Sequence, residues 1–587
     1  MSTNIIVSPE ESPEAIQEKL DPLQPGDHVL FQPGTYRMNL RVAARGTSDA
    51  PIVLEAETPG GVTICGADFV KDWRQDGEDW VTDIDLSGLA PSLKHGWEGG
   101  RREQVFVDGQ PQRQVRHYDQ LAGGCFWYDE ERKRLILRPG IFSGELRDGV
   151  TKIEKGSIQG GGEADIDRTD PLHRWPFLVA PFVPDSHCIE VTRRCRLLEL
   201  AGDYREPEEG SRHIHVKGFR FRASGDAPQQ AMVHIGGEGH LVEDCRFEWG
   251  AARGFDLRCH RTTVRNCAAR MNGQMGFSGY GEDNTVEDTL LQHNNYKHRT
   301  FTCFEQGGCK IVRTKRFVMR RVRAIGNDGP GIWYDIDNED ALIERCWCEG
   351  NTGPGIMYEI SYAAVIRNNV CWRNGFQPRK DAFWDSHGNS MGREEMVYGQ
   401  GILVQMSRDV RVYNNTCIGN QRVGIDLRHH PYQQAGNYRH SPERYKLERN
   451  DVFNNLLADN GWCNLDETMA PLNPAKTDEV AENHYDYNLY HNSTSLLEHG
   501  GDVVGYARWG KTMGYGVQSL EEWRAARDQD MHSLQWDPAF LAPDQGDFHL
   551  EDWSPAKGRG RPVEGLTEDF DGNPRPPEQP PTLGAFA

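Results

Sequence analysis

The sequence predicts an all-β chain: a right-handed parallel β-helix carrying an inserted antiparallel β-sandwich. Three observations point there. A five-residue pattern, Gly-apolar-x-apolar-x ending in a variable polar position, recurs at Gly254–Arg258, Gly276–Tyr280, Gly331–Asp335, Gly355–Glu359, Gly401–Gln405 and Gly424–Arg428. The intervals are 22, 55, 24, 46 and 23 residues, and a degenerate copy near Phe301 divides the longest. Recurrence at a short period marks a solenoid. A second strand type, as in Val286-Glu-Asp-Thr289 and Val412-Tyr-Asn-Asn415, accompanies each copy. An Asn-rich turn also returns, at Asn272, Asn327, Asn351, Asn374, Asn420 and Asn460. Asn tolerates left-handed turns, and its amide can bond to the next coil.

The elements follow in order. Residues 8–20 read as a short helix that caps the first coil and blocks edge pairing at the open end. Gly26–Tyr36 and Pro51–Glu57 read as early β-helix strands. The period then stops. Gln104–Gln110, Cys125–Asp129 and Arg134–Arg138 alternate between Asp-Gly and Pro-Gly turns, which predicts antiparallel hairpins. The solenoid resumes at His213 and runs to about Asn460, with long insertions at 376–400 and 430–449. Long loops on a rigid scaffold are common builders of binding sites. After 462 the period fades. Leu520–Arg527 reads as a helix with Ser519 and Glu522 as its capping box, before a Pro-rich tail laid along the solenoid. The expected division is 1–65 for the cap and first strands, 66–203 for the sandwich, 204–460 for the core and 461–587 for the end of the solenoid.

Bulk composition narrows the function. The 587 residues are 37% hydrophobic and 10% aromatic, as in a folded chain. A net charge of -22 argues against a nucleic-acid or anionic-membrane partner, which needs a basic face. No stretch is apolar enough to span a membrane. The N-terminus has no basic-then-apolar leader, so the expectation is residence in the cytoplasm, or export with the signal peptide cut away. Of fourteen cysteines, Cys245, Cys267 and Cys346 share one repeat position, filled elsewhere by Thr289, Val322, Asn369 and Asn415. They read as small core fillers. Cys346-x-Cys348 lacks the second pair of a zinc site.

Strand parity supplies the chemistry. Ile332, Tyr334 and Ile336 share one parity, as do Ile356, Tyr358 and Ile360, so these face the interior. The other parity carries Trp333, Asp335 and Asp337, then Met357, Glu359 and Ser361. The outward row is expected to run Arg258, Tyr280, a position near Phe304–Glu305, Asp335, Glu359, Gln405 and Arg428. Adjacent coils lie about 4.8 Å apart. Asp335 and Glu359 are then side by side, with carboxyls roughly 5 Å apart, the separation of retaining glycosidases. Asp337 is the alternative partner. It sits ~6.6 Å farther along the strand and would favour inversion. Trp333 and Tyr280 suit stacking on a sugar ring. Gln405 and Arg428 suit hydroxyls. Glu305, Lys310, His430 and Trp384 (from Phe383-Trp-Asp-Ser-His387) are further substrate-binding candidates.

At these residues the chain resembles β-helical glycoside hydrolases, especially families 120 and 141. The resemblance covers most of the chain, including Arg102–Gly109 and Phe126–Asp129 in the inserted region. Its most specific stretches are Gly329–Asn338 and Gly355–Ser361. They look like the family 120 arrangement of an Asp nucleophile after a Gly-Ile-Trp run and a Glu acid/base one coil later. That implies these roles for Asp335 and Glu359. After Glu359 the chain reads Ile-Ser-Tyr, where the β-xylosidase pattern has an Asn-His-Gly type of run. Family 141 contains α-L-fucosidase and xylanase activities, so the sugar stays open. The expected activity is exo-acting, retaining hydrolysis of an oligosaccharide or polysaccharide, without a cofactor. Two alternatives remain. A polysaccharide lyase would use Lys310 or Arg428 as base and hold Ca²⁺ through Asp335, Asp337 and Glu359. A non-catalytic, tailspike-like carbohydrate-binding β-helix would need neither carboxylate.

Overall fold

A computed structural model describes residues 3–89, 102–115, 118–140, 183–296, 305–375, 383–384, 390–391, 399–429, 446–461, 463–469, 480–493, 504–509 and 513–587. It is a right-handed parallel β-helix with antiparallel sheets inserted. The chain divides into two compact units: Met1–Ser278 with Gln292–Gln306 and Gln377–Val397, and Gly279–Leu291 with Gly307–Phe376 and Tyr398–Ala587.

In the first unit, Asn4–Val7, His28–Phe31, Ile52–Ala56, Ile214–Lys217, Leu241–Glu243 and Thr263–Arg265 pair in parallel, one strand per coil. The helix Pro13–Leu20 lies between the first two strands, with Ser12 as its N-cap and Ile16 and Leu20 buried. The β-helix resumes at Leu198–Leu200, which pairs in parallel with Leu40–Val42, and Phe219–Arg222 then stacks on Val62–Cys65, so the residues between Cys65 and Leu198 are an insertion. That insertion contains two sheets. One pairs Ala67–Phe69, Ile189–Thr192, Val105–Val107 and Gln110–Pro111 antiparallel. The other joins Asp79–Asp83, Arg134–Arg138 and Cys125–Asp129 antiparallel, with Arg113–Gln114 added in parallel. Trp73, Val105, Phe126, Leu135, Leu137 and Val191 from both sheets share one apolar core, as a sandwich requires.

In the second unit each coil has three strands. The first sheet stacks Gly307–Lys315, Ile332–Asp335, Ile356–Glu359, Gln400–Gln405, Val423–His429 and Cys463–Met469 in parallel. The second contains Glu339–Glu344, Tyr362–Arg367 and Arg408–Tyr413, and the third Trp347–Glu349, Val370–Trp372 and Thr416–Ile418. Parallel pairing continues past Asn460 to Leu534–Gln535. The helix Leu520–Arg527 has the Ser519–Glu522 capping box, and buried Phe548, Leu583 and Phe586 of the tail pack beside Val370 and Leu456 of the third sheet.

The repeat has a steric origin. A Cβ on Gly355 would stand 2.8 Å from the Gly401 carbonyl oxygen and 2.9 Å from the Asn374 amide nitrogen. Gly331 and Gly401 face the next coil's backbone and an Asn amide in the same way. These amides form a buried ladder. Asn327, Asn351, Asn374 and Asn420 each donate from Nδ2 to the Oδ1 of the Asn on the next coil, at 2.9–3.0 Å. A second ladder runs through Asn369, Asn415, Asn455 and Asn488. Cys245, Cys267 and Cys346 are buried at the position assigned to them, and each thiol meets backbone carbonyls.

Two expectations are corrected. The position in register with Asp335 is not Glu305, and Phe301 and Phe304 lie outside the described residues. The preceding strand is Gly307–Lys315, and Val312 is the residue in register with Asp335. Gly307 and Gly308 open this strand. Strand parity also does not extend through Ile336 and Ile360. The strands end at Asp335 and Glu359, and Ile336, Asp337 and Ile360 turn the chain at φ values of 61°, 56° and 45°. Ile336 and Ile360 leave the strand's apolar row and pack with Tyr362 and Met406.

Candidate active site

Ile332–Asp335 and Ile356–Glu359 form strands because their apolar residues alternate. Ile332, Tyr334, Ile356 and Tyr358 are fully buried, and the Tyr334 and Tyr358 rings lie 5.7 Å apart. The opposite parity places Trp333 beside Met357 and Asp335 beside Glu359 in strict register. Gln405 and then Arg428 continue the second of these rows. The expected adjacency of the two acids is therefore present in the backbone pairing.

The two carboxylates have different surroundings. The Lys310 ammonium lies 2.8 Å from Asp335 Oδ2. Lys310 reaches it diagonally, because its own register partner is Trp333. The same ammonium sits 4.0 Å from the Trp333 ring centroid, a cation–π contact. Glu359 receives donors on both oxygens. Gln405 Nε2 donates to Oε1 at 2.7 Å, and Trp333 Nε1 donates to Oε2 at 3.1 Å. Trp333 thus orders both acids: its ring holds the cation paired with Asp335, and its edge donates to Glu359.

This row is largely withdrawn from solvent. Asp335 is 6% exposed, Glu359 4%, Trp333 2%, Gln405 0% and Arg428 8%. One coil on, Arg428 donates to Asp426 Oδ2 at 2.6 Å, and Gln400 Nε2 donates to the same oxygen at 2.9 Å. Asp426 has the same outward parity as Arg428. Gln400 was missed, because it stands just before the recognisable Gly401 and outside the five-residue pattern.

Asp337 is half-buried in the turn after the strand, where Tyr362 donates to it at 3.3 Å. It is not two residues along the same strand, so the diagonal strand geometry drawn for it does not exist. Glu305 belongs to the first unit and pairs with Arg253. Arg258, also in the first unit, lies near Asp203 and Asp256. Tyr280 is half-buried on Met275–Glu282. His430, the Trp384 side chain and most of both long insertions lie outside the described residues.

Two family models match parts of the chain. One described as a right-handed β-helix region covers residues 231–391, and one described as chondroitinase B covers residues 11–75. No curated protein matches. Among solved structures, XylC in complex with xylose aligns with a TM-score of 0.62 at 13% identity, covering 100% of this chain and 98% of that one. A glycoside hydrolase aligns at 0.43 and 11% identity, covering 72% of this chain and 95% of its own. The pectate lyase Pel9A aligns at 0.34 and 10% identity, covering 100% and 97%. What the chain shares with XylC over this full-length alignment is the fold, a right-handed parallel β-helix.

Proposed function

We propose that the protein is a glycoside hydrolase acting with retention, with Asp335 as nucleophile and Glu359 as general acid and base. The observation that carries this is the register of Asp335 with Glu359 on adjacent strands, each held by different partners. Two carboxylates one coil apart have the spacing at which one attacks the anomeric carbon while the other protonates the leaving oxygen. The Lys310 ammonium favours the charged form of Asp335, which a nucleophile needs. Glu359 then activates water to release the sugar. The full-length likeness to XylC, a protein solved with xylose, is consistent with a carbohydrate substrate.

The lyase reading is weaker on physical grounds. Lys310 at 2.8 Å from a carboxylate and over an indole face is held as a cation, and a base must be neutral. Incubation with a panel of aryl xylosides, fucosides and related glycosides tests the assignment. Proton NMR should show the first-formed sugar in the configuration of the substrate. An inverted first product would exclude Asp335 as nucleophile. An unsaturated, ultraviolet-absorbing product from a uronic-acid polymer would establish the lyase.

A further inference from the structure

Near the C-terminal end of the solenoid two tryptophans are held at the surface. Trp536 is 65% exposed and Trp553 70%, the most exposed large apolar side chains among the described residues. Trp523, in the preceding helix, is fully buried. Among the described residues neither exposed indole makes a hydrogen bond, a ring contact or a cation–π contact. Their backbones are nevertheless fixed. The Trp536 N–H donates to the carbonyl of buried Tyr490 at 3.1 Å, directly after the strand Leu534–Gln535. Trp553 precedes buried Ser554, whose hydroxyl donates to the Pro538 carbonyl at 2.7 Å. The Glu551 N–H donates to the Ala539 carbonyl at 2.9 Å. These bonds tie the two segments together and keep the two tryptophan Cα atoms within about 15 Å. Both residues belong to the second unit, as do Asp335 and Glu359. In the third sheet, Val370–Trp372 of the Glu359 coil is followed by Thr416–Ile418, Leu456–Ala458, Leu489–His491 and Leu534–Gln535. Four steps of about 4.8 Å put Trp536 roughly 19 Å along the axis from the acids, next to a different sheet.

The surroundings of the two rings select what covers them. Asp537 follows Trp536, and Glu551 and Asp552 precede Trp553. Asp552 is fully exposed, with the Lys557 ammonium 3.3 Å away. These carboxylates, on a chain of net charge -22, repel a polyanion or an anionic membrane. The exposed faces of two indoles amount to roughly 300 Å². That is well short of the about 800 Å² that each partner buries in a stable protein pair. An uncharged glycan fits both facts. The C–H face of a pyranose packs flat on an indole, and hydroxyls at its rim donate to carboxylates. We propose that Trp536 and Trp553 form a second, non-catalytic carbohydrate-binding surface, which holds a neutral polysaccharide away from the acids. The proposal rests on the preceding reading only in taking the substrate to be a carbohydrate. It requires no role for Asp335 or Glu359.

Affinity electrophoresis in native gels tests this, with soluble neutral xylans, glucans, mannans or galactans in the gel and alginate and polygalacturonate as polyanions. At least one neutral polymer should retard the wild-type protein, and the polyanions should not. Trp536→Ala and Trp553→Ala should each weaken the retardation, and the double variant should bind about tenfold more weakly or worse. Tyrosine at both positions should restore part of the binding. Because both rings are exposed, circular dichroism and urea midpoints of the variants should match wild type. Their kcat/KM on a small aryl glycoside should also be unchanged. Absence of retardation by every neutral polymer, or equal retardation of wild type and double variant, would overturn the proposal. So would a wild-type dimer in sedimentation that the double variant does not form, which would assign the rings to a contact between copies of the chain. Tryptophan-dependent retardation without cleavage of any glycoside would leave the binding surface standing and remove the hydrolase. Cleavage without such retardation would do the reverse.

Discussion

Asp335 and Glu359 share a row but are held by different groups, and the different tasks proposed for them rest on that difference. Loss of the proposed nucleophile should be severe. Asp335→Ala should lower kcat by roughly three orders of magnitude or more, measured on an aryl glycoside with a good leaving group. Azide should rescue Asp335→Gly and yield a glycosyl azide of configuration opposite to the substrate. Glu359→Ala should yield the azide of unchanged configuration. A second prediction concerns His234, whose ring nitrogens meet only acceptors: Asp256 Oδ1 at 2.9 Å and the Gly202 carbonyl at 3.0 Å. Burial works against its charge, but the Asp256 carboxylate and the carbonyl outweigh it and raise its pKa above the usual 6.5. The stabilisation is therefore complete below pH 6.5 and fades as pH rises through the raised value. Urea unfolding of wild type and His234→Gln should differ most at pH 6 and converge in alkaline solution. A gap that widens with pH would refute the imidazolium.

At the scale of one coil, the repeat is a packing rule. The leading glycine admits the next coil's backbone, and the Asn ladder satisfies buried amides beside it. Gly355→Ala would force a Cβ to within 2.8 Å of a carbonyl oxygen and should destabilise the chain by about 1–3 kcal/mol. Asn374→Ala would strip partners from the buried Asn351 amide and the Cys348 carbonyl, and should cost about 2 kcal/mol or more. Equilibrium urea denaturation of each variant checks both figures. This rule explains what the sequence made legible. Gly, Asn and alternating apolar residues recur because each has one permitted place per coil, so the strands and the Asp335–Glu359 adjacency follow from them. The ends of the strands were not legible. Ile336 and Ile360 continue the apolar alternation, yet both sit at positive φ in a turn and feed a separate apolar cluster. The preceding coil was hidden because Gly307–Lys315 carries Cys309-Lys310-Ile311 where other copies carry the aromatic or branched signature. The indole's bond to Glu359 was equally hidden, since spacing alone does not distinguish a stacking platform from a donor.

For the molecule as a whole, burial of the row bears on how a long substrate is cut. A parallel β-helix offers a long flank, and an open groove along it would expose successive polar residues over several coils. Here Trp333, Asp335, Glu359, Gln405 and Arg428, spread over four successive strands, are each at most 8% exposed. Side chains so little exposed along the solenoid offer few polar contacts to a polysaccharide laid across them. A single terminal sugar needs only a local opening near the two acids. Cleavage should therefore proceed from chain ends. Early digestion of a long polysaccharide that the enzyme accepts should release monosaccharide alone, while the polymer's mean length falls slowly. Size-exclusion and thin-layer chromatography of the first few per cent of reaction distinguish this from internal cutting. A ladder of mixed oligomers with a rapid drop in mean length would show that the closed row opens along the solenoid. Blocking the terminal sugar by chemical modification should abolish release in the first case and leave internal cutting intact in the second.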